Sequence, residues 1–62
     1  MRCVLRDFSG KYLSAIDEEG GIFISTWDSD KFKALLFSEE KVNEVVKKIA
    51  KNNGFHARVE IA

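Results

Sequence analysis

The 62-residue chain has no proline, a single cysteine, a single histidine and only four glycines, and its ten basic side chains are matched by ten acidic ones. One cysteine cannot close an internal disulfide, and one histidine beside it makes no zinc-ligand set, so neither of the staples that rescue very small folds is present. No apolar run comes near the length of a membrane span, and Met1 leads into a short mixed stretch without the hydrophobic segment of a signal peptide. A cytoplasmic protein without membrane contact is therefore expected. The formal net charge of zero argues against a protein that draws its affinity from counterion release on nucleic acid. With no repeat, no low-complexity tract and no linker composition, residues 1–62 are expected to form one domain.

What is present is apolar. Hydrophobic residues make up 45% of the chain, including five Phe, one Trp and one Tyr, and a domain this small needs nearly all of them because it buries a low fraction of its surface. The charges are unevenly spread: residues 1–30 hold three basic and six acidic groups and residues 31–62 hold seven and four, so the halves carry −3 and +3. Complementary halves favour compaction or head-to-tail contact over a uniform field.

The chain is organised around Ser38 to Gly54, SEEKVNEVVKKIAKNNG. Val42, Val45, Val46, Ile49 and Ala50 fall at the spacing of one helix face, a stripe wide enough to cover one side of a small sheet. Ser38 is the expected N-cap, Glu39 and Glu40 lie in the first turn, Lys47, Lys48 and Lys51 lie toward the end, and Asn52-Asn53-Gly54 supplies a left-handed stop. Before it, Arg2–Phe8 and Lys11–Asp17 read as two strands joined through Ser9-Gly10, and Glu18-Glu19-Gly20-Gly21 reads as a tight, solvated connection. Ile22–Trp27 has the strongest strand propensity and is expected at the centre of the sheet. Asp28-Ser29-Asp30 breaks it and opens a short helical turn through Asp30, Lys31 and Phe32. Ala34–Phe37 is expected as a fourth strand buried on both sides, and Phe55–Ile61 as a half-buried last strand with Phe55, Ala57, Val59 and Ile61 on one face. The fold class is α+β: a small antiparallel sheet in the order β-β-β-β-α-β, with one amphipathic helix packed on one face.

No residue set assembles into an active or metal site. Asp28, Asp30 and Glu39 imitate three positions of a calcium loop, but Phe32 and Lys33 stand where the loop needs an oxygen ligand and glycine. Asp17, Glu18 and Glu19 lie on a solvated hairpin tip, without the desolvated cleft that separates the pKa values of catalytic carboxylates. His56 falls on the polar parity of the last strand with no motif to make it a base, and Cys3 reads as a small apolar core residue. No catalytic residue, metal ligand or cofactor is therefore assigned, and the chain is not read as an enzyme.

Two surfaces remain as candidates for partners. The early strands carry apolar groups on both parities while only one helix is available to cover them, so a symmetric homodimer is expected, with Ile22, Phe23, Ile24 and Trp27 as its contributors. Lys47, Lys48 and Lys51, together with Glu18 and Glu19, are the charged candidates for recognition. The lysine-rich helix face also supports an alternative, a small nucleic-acid-binding regulator, although Glu39, Glu40 and Glu44 share that helix.

The stretches GKYLSAID, ISTWDSDKFKALLFSEEKVNEVVKKI and NNGF, from Gly10 to Phe55, resemble small proteins encoded by phages and prophages of low-GC Gram-positive bacteria. The likeness rests on Tyr12-Leu13-Ser14, on Thr26 to Ala34 running into Leu36-Phe37-Ser38, and on the helix that follows. It brings no catalytic residue with it. What it implies is a context, since short phage proteins often act by binding a host factor, including components of bacterial immunity. The expected function is thus a non-enzymatic interaction module, an inhibitor of a host defence protein acting by direct binding in the host cytoplasm.

Overall fold

The computed structural model describes residues 1–62. Helix α1 spans Glu39–Asn53. Ser38 Oγ accepts the Lys41 N–H at 3.1 Å, and Gly54, at φ 79°, turns its N–H back to the Ile49 carbonyl. Those are the N-cap and the left-handed C-terminal closure that the sequence signals. The stripe is also as expected: Val42, Val45 and Ile49 are buried, and Val46 packs against their cluster.

The sheet has five strands, β1 (Arg2–Arg6), β2 (Tyr12–Glu19), β3 (Ile22–Asp28), β4 (Phe37–Ser38) and β5 (Arg58–Ile61), all paired antiparallel. The order of elements, β-β-β-β-α-β with the helix packed on the sheet, is the expected one. Strand β1 is central. Cys3 pairs with both Phe37 and Ile61, and Arg6 with both Tyr12 and Arg58, so β5 takes one edge of β1 while β2 and β4 share the other.

This placement corrects the expectation for Ile22–Trp27. The segment is an outer strand, bonded only to β2. Its β-branched and aromatic residues suit a pleated surface half covered by a helix, which is what β-propensity measures, and they carry no information about rank within the sheet. The centre goes instead to RCVLR, whose Cys3, Val4 and Leu5 are all buried.

Three strands are shorter than the sequence suggests, β1 stopping at Arg6 instead of Phe8, while β2 runs on through Glu18 and Glu19, which the sequence assigns to the connection. Ala34 closes a single 3-10 turn over Lys31–Lys33, and the Leu35 N–H bonds the Leu13 carbonyl at 2.9 Å, so only Phe37 and Ser38 are free to join β1. Leu36 is left exposed rather than buried on both sides. In the last segment, pairing begins at Arg58, because Phe55 is taken up by aromatic contacts and only Ala57 of the alternating set is buried. Val59 and Ile61 lie beyond the helix, exposed at 45% and 69%.

The core is one cluster of Cys3, Leu5, Leu13, Phe23, Val42, Val45, Ile49 and Ala57, flanked by Ile16, Trp27, Leu35, Phe37, Val46 and Phe55. In antiparallel pairs, directly opposite residues share a face. Cys3, Leu5, Phe23 and Trp27 therefore define the helix side, and Val4, Arg6, Tyr12, Ile22, Ile24 and Glu60 the outer side.

Candidate functional site

The outer side of the sheet has no helix over it, and its two halves solve that differently. Over β1, Val4 is only 5% exposed, although no apolar layer covers it. Its cover comes from long polar side chains on the same face: the Arg6 guanidinium lies 4.7 Å from the Tyr12 ring centroid and its Nη1 lies 3.3 Å from Glu60 Oε2. Arg6 Nε and Nη2 also donate to the Gly10 carbonyl at 3.1 and 2.8 Å. Stems and ring shield the strand while the charged heads stay bonded or wet.

Over β3 no such roof exists. The hairpin β2–β3 closes through Gly20 and Gly21, both at positive φ (59° and 81°), the geometry that matches the twist of paired strands in a two-residue turn. Its register sets Glu19 opposite Ile22 and Asp17 opposite Ile24. Both isoleucines are exposed, Ile22 at 63% and Ile24 at 49%. Asp17 and Glu19 make no salt bridge. The surface is thus two bare β-branched side chains, each beside an unpaired carboxylate.

The pleat separates residues that the sequence grouped. Glu18 pairs across the hairpin with Phe23, on the helix side, and its Oε1 takes a bond from Lys48 Nζ at 3.0 Å. The acidic run Asp17-Glu18-Glu19 is therefore divided, with Glu18 tying the hairpin to the helix. Of the four apolar interface candidates, Ile22 and Ile24 are outward, whereas Phe23 is buried at 7% and Trp27 packs against the core. A sheet-face dimer built on all four is excluded by this parity, since Phe23 and Trp27 already face α1. Lys47 and Lys51 are exposed without a carboxylate partner, while Lys48 is tied to Glu18 and Lys41 to Glu44.

Other candidate positions are occupied by structure. Asp28 Oδ1 accepts the Asp30 N–H and Asp30 Oδ1 the Phe32 N–H, so the two carboxylates build consecutive turns; Glu39 sits in the first turn of α1. His56 is exposed and Cys3 is a free, buried thiol within the core.

The fold also assembles an aromatic row that sequence spacing does not reveal. Phe55 stacks edge-on with Phe8 at 5.8 Å and at a tilt with Trp27 at 5.5 Å. Phe8 is 89% exposed because Asp7 Oδ1 gathers the N–H groups of Ser9 and Lys11 and the Ser9 hydroxyl, closing a turn that leaves Phe8 at its tip. The available signal was Asp7 two residues before Ser9-Gly10, an Asx-turn pattern that ends the strand before Phe8. Burial by itself would raise the Asp7 pKa; the Ser9 hydroxyl, the backbone N–H groups of Lys11 and Ser9 and the Lys11 charge outweigh it and hold the carboxyl below its ordinary value.

Comparison with known proteins adds no neighbour: no family model, no curated protein and no solved structure matches the chain.

Proposed function

We propose that this chain is a non-enzymatic interaction module that binds a host protein through the outer face of the β2–β3 hairpin. The observation that carries the reading is the exposed pair Ile22 and Ile24, set beside the unpaired carboxylates of Asp17 and Glu19. Apolar side chains desolvate readily on docking, and flanking like charges select for a partner of opposite sign. The fitting partner is a protein that presents lysine or arginine around a small apolar patch. The resemblance to phage and prophage proteins supplies the setting: the cytoplasm of a low-GC Gram-positive host, with a defence protein as the inhibited target.

The test is affinity capture from such a host with the wild-type chain, Ile24→Lys and Lys47→Glu/Lys51→Glu in parallel. One protein is expected to be held by the wild type and by the lysine variant and lost with Ile24→Lys. Capture of nucleic acid alone, lost with the lysine variant, would favour the alternative regulator, for which Lys47 and Lys51 are the unpaired lysines on the helix. That alternative also requires binding that weakens steeply with salt.

A further inference from the structure

Apart from the two-residue β4, two strands have a single neighbour, β3 and β5, and they are finished differently. At β3 the last residue of the helix lies over the edge: Asn53 Nδ2 donates to the Phe23 carbonyl at 3.4 Å and Asn53 Oδ1 accepts from Ser25 Oγ at 3.0 Å. Strand β5 has no comparable cover. Its side-chain bonds, Glu60 to Arg6 and to Arg58, belong to the outer face and leave the edge open. An open edge is a template for another strand.

The phase of that edge can be read from one bond. The Ala62 N–H reaches the Arg2 carbonyl at 2.9 Å, in the same register that sets Val4 opposite Glu60 and Arg6 opposite Arg58. Backbone groups of Arg58, Glu60 and Ala62 are therefore directed at β1, and those of Val59 and Ile61 at the open side. The side chains along this edge are self-complementary. A twofold axis through Val59 lets Val59 exchange both backbone bonds with its own copy and sets Ile61 against Ala57. The same axis sets Arg58 against Glu60 of the second copy, twice, on the outer face. An axis through Glu60 opposes Glu60 to itself and one through Arg58 opposes two arginines, and like charges directly opposite are destabilising.

We propose that two copies of this chain join edge to edge along β5, antiparallel about a twofold axis at Val59, to form one continuous sheet. Val59 and Ile61, exposed in the single chain, become a shared apolar strip beside the two helices. Because β5 and β3 lie at opposite ends of the sheet, this contact does not depend on the hairpin surface, and losing it leaves the hairpin reading intact.

Sedimentation equilibrium of the full chain from micromolar to millimolar concentration gives the mass, and cysteines introduced one at a time into a Cys3→Ala background give the register. Across the join Val59 faces its copy in a hydrogen-bonded pair, with Cα atoms about 5.5 Å apart, and Arg58 faces Glu60 in a non-hydrogen-bonded pair, about 4.5 Å apart; both lie within the roughly 4.4–6.8 Å that a disulfide spans. Val59→Cys is expected to oxidise to a covalent dimer. Arg58→Cys and Glu60→Cys are each expected to stay monomeric when oxidised alone and to cross-link when mixed. Arg58→Glu is expected to weaken the dimer at least about tenfold, and Val59→Pro, which removes an outward N–H without touching the β1 ladder, to leave a folded monomer. Should Val59→Pro not fold, the cysteine register and Arg58→Glu still decide the matter. A monomer mass at millimolar concentration would overturn the proposal, as would a dimer that ignores Arg58→Glu and cross-links through Ile24→Cys instead of Val59→Cys.

Discussion

Arg6 lies over Tyr12, with 4.7 Å between the guanidinium carbon and the ring centroid, and the same guanidinium reaches both Glu60 and the Gly10 carbonyl. One side chain thereby joins β1 to β2, to β5 and to the turn between β1 and β2, and roofs Val4 in the process. Arg6→Ala removes the stacking, the ion pair and the charged hydrogen bonds together and should cost about 2 kcal/mol. Arg6→Lys should recover less than half of that, because an ammonium cannot bridge three partners with a planar fork. Urea denaturation followed by Trp27 fluorescence checks both; equal stability of Lys and wild type would refute the roof.

The Asp7 turn makes stability depend on acid pH. Its carboxyl is held below its ordinary value in the fold, so the contribution is fully present above the unfolded carboxylate pKa of about 3.9 and is lost as pH falls through the lower, folded value. Asp7→Asn should melt at lower temperature than wild type at pH 7, and the gap should close as both are taken into strong acid. A gap that is constant with pH would mean that the charge of Asp7 contributes nothing.

Gly21 is a conformational requirement and nothing more. It sits at φ 81°, and no atom lies within 4 Å of where a Cβ would be, so any cost of substitution comes from the backbone. Gly21→Val should lose about 1–2 kcal/mol, whereas Gly21→Asn should lose much less, since asparagine tolerates the left-handed region. Thermal melts of the two variants separate a strained turn from a packing defect.

Ile49 tests the helix stripe. It is fully buried, against β-strand residues from both halves of the chain, and Ile49→Ala should cost about 3 kcal/mol through lost transfer energy and the cavity left behind. For a domain of this size that is a large share of the total stability. Ala50→Ser, half-buried on the rim of the same face, should be far milder; equal effects would mean that the helix is rotated from the orientation described.

The helix was legible because three independent signals agreed on it: the apolar spacing from Val42 to Ala50, the Ser38 cap and the Gly54 stop. The β2–β3 hairpin was legible in part: Gly20-Gly21 marks the turn, but Glu18 and Glu19, poor strand formers that read as connection, pair in β2 because the register carries them. Strand rank was not. Ile22–Trp27 has the higher propensity, yet Arg2–Arg6 holds the centre, because rank is set by which strands return to pair and nothing local encodes that. Parity was also hidden: Phe23 and Trp27 face the helix and Ile22 and Ile24 face out, a choice fixed only by the register with β2. The Arg6, Tyr12 and Glu60 roof is equally non-local, since Glu60 is 54 residues from Arg6.

The claim that the hairpin face is the binding surface is tested most directly by photo-crosslinking inside the host cell. A photoreactive residue is placed at position 24 of one variant and position 47 of another, both folded as judged by circular dichroism. A discrete adduct to one host protein is expected from position 24, abolished when Asp17 and Glu19 are changed to lysine, and no such adduct from position 47. A host-protein adduct from position 47 with none from position 24 would contradict it.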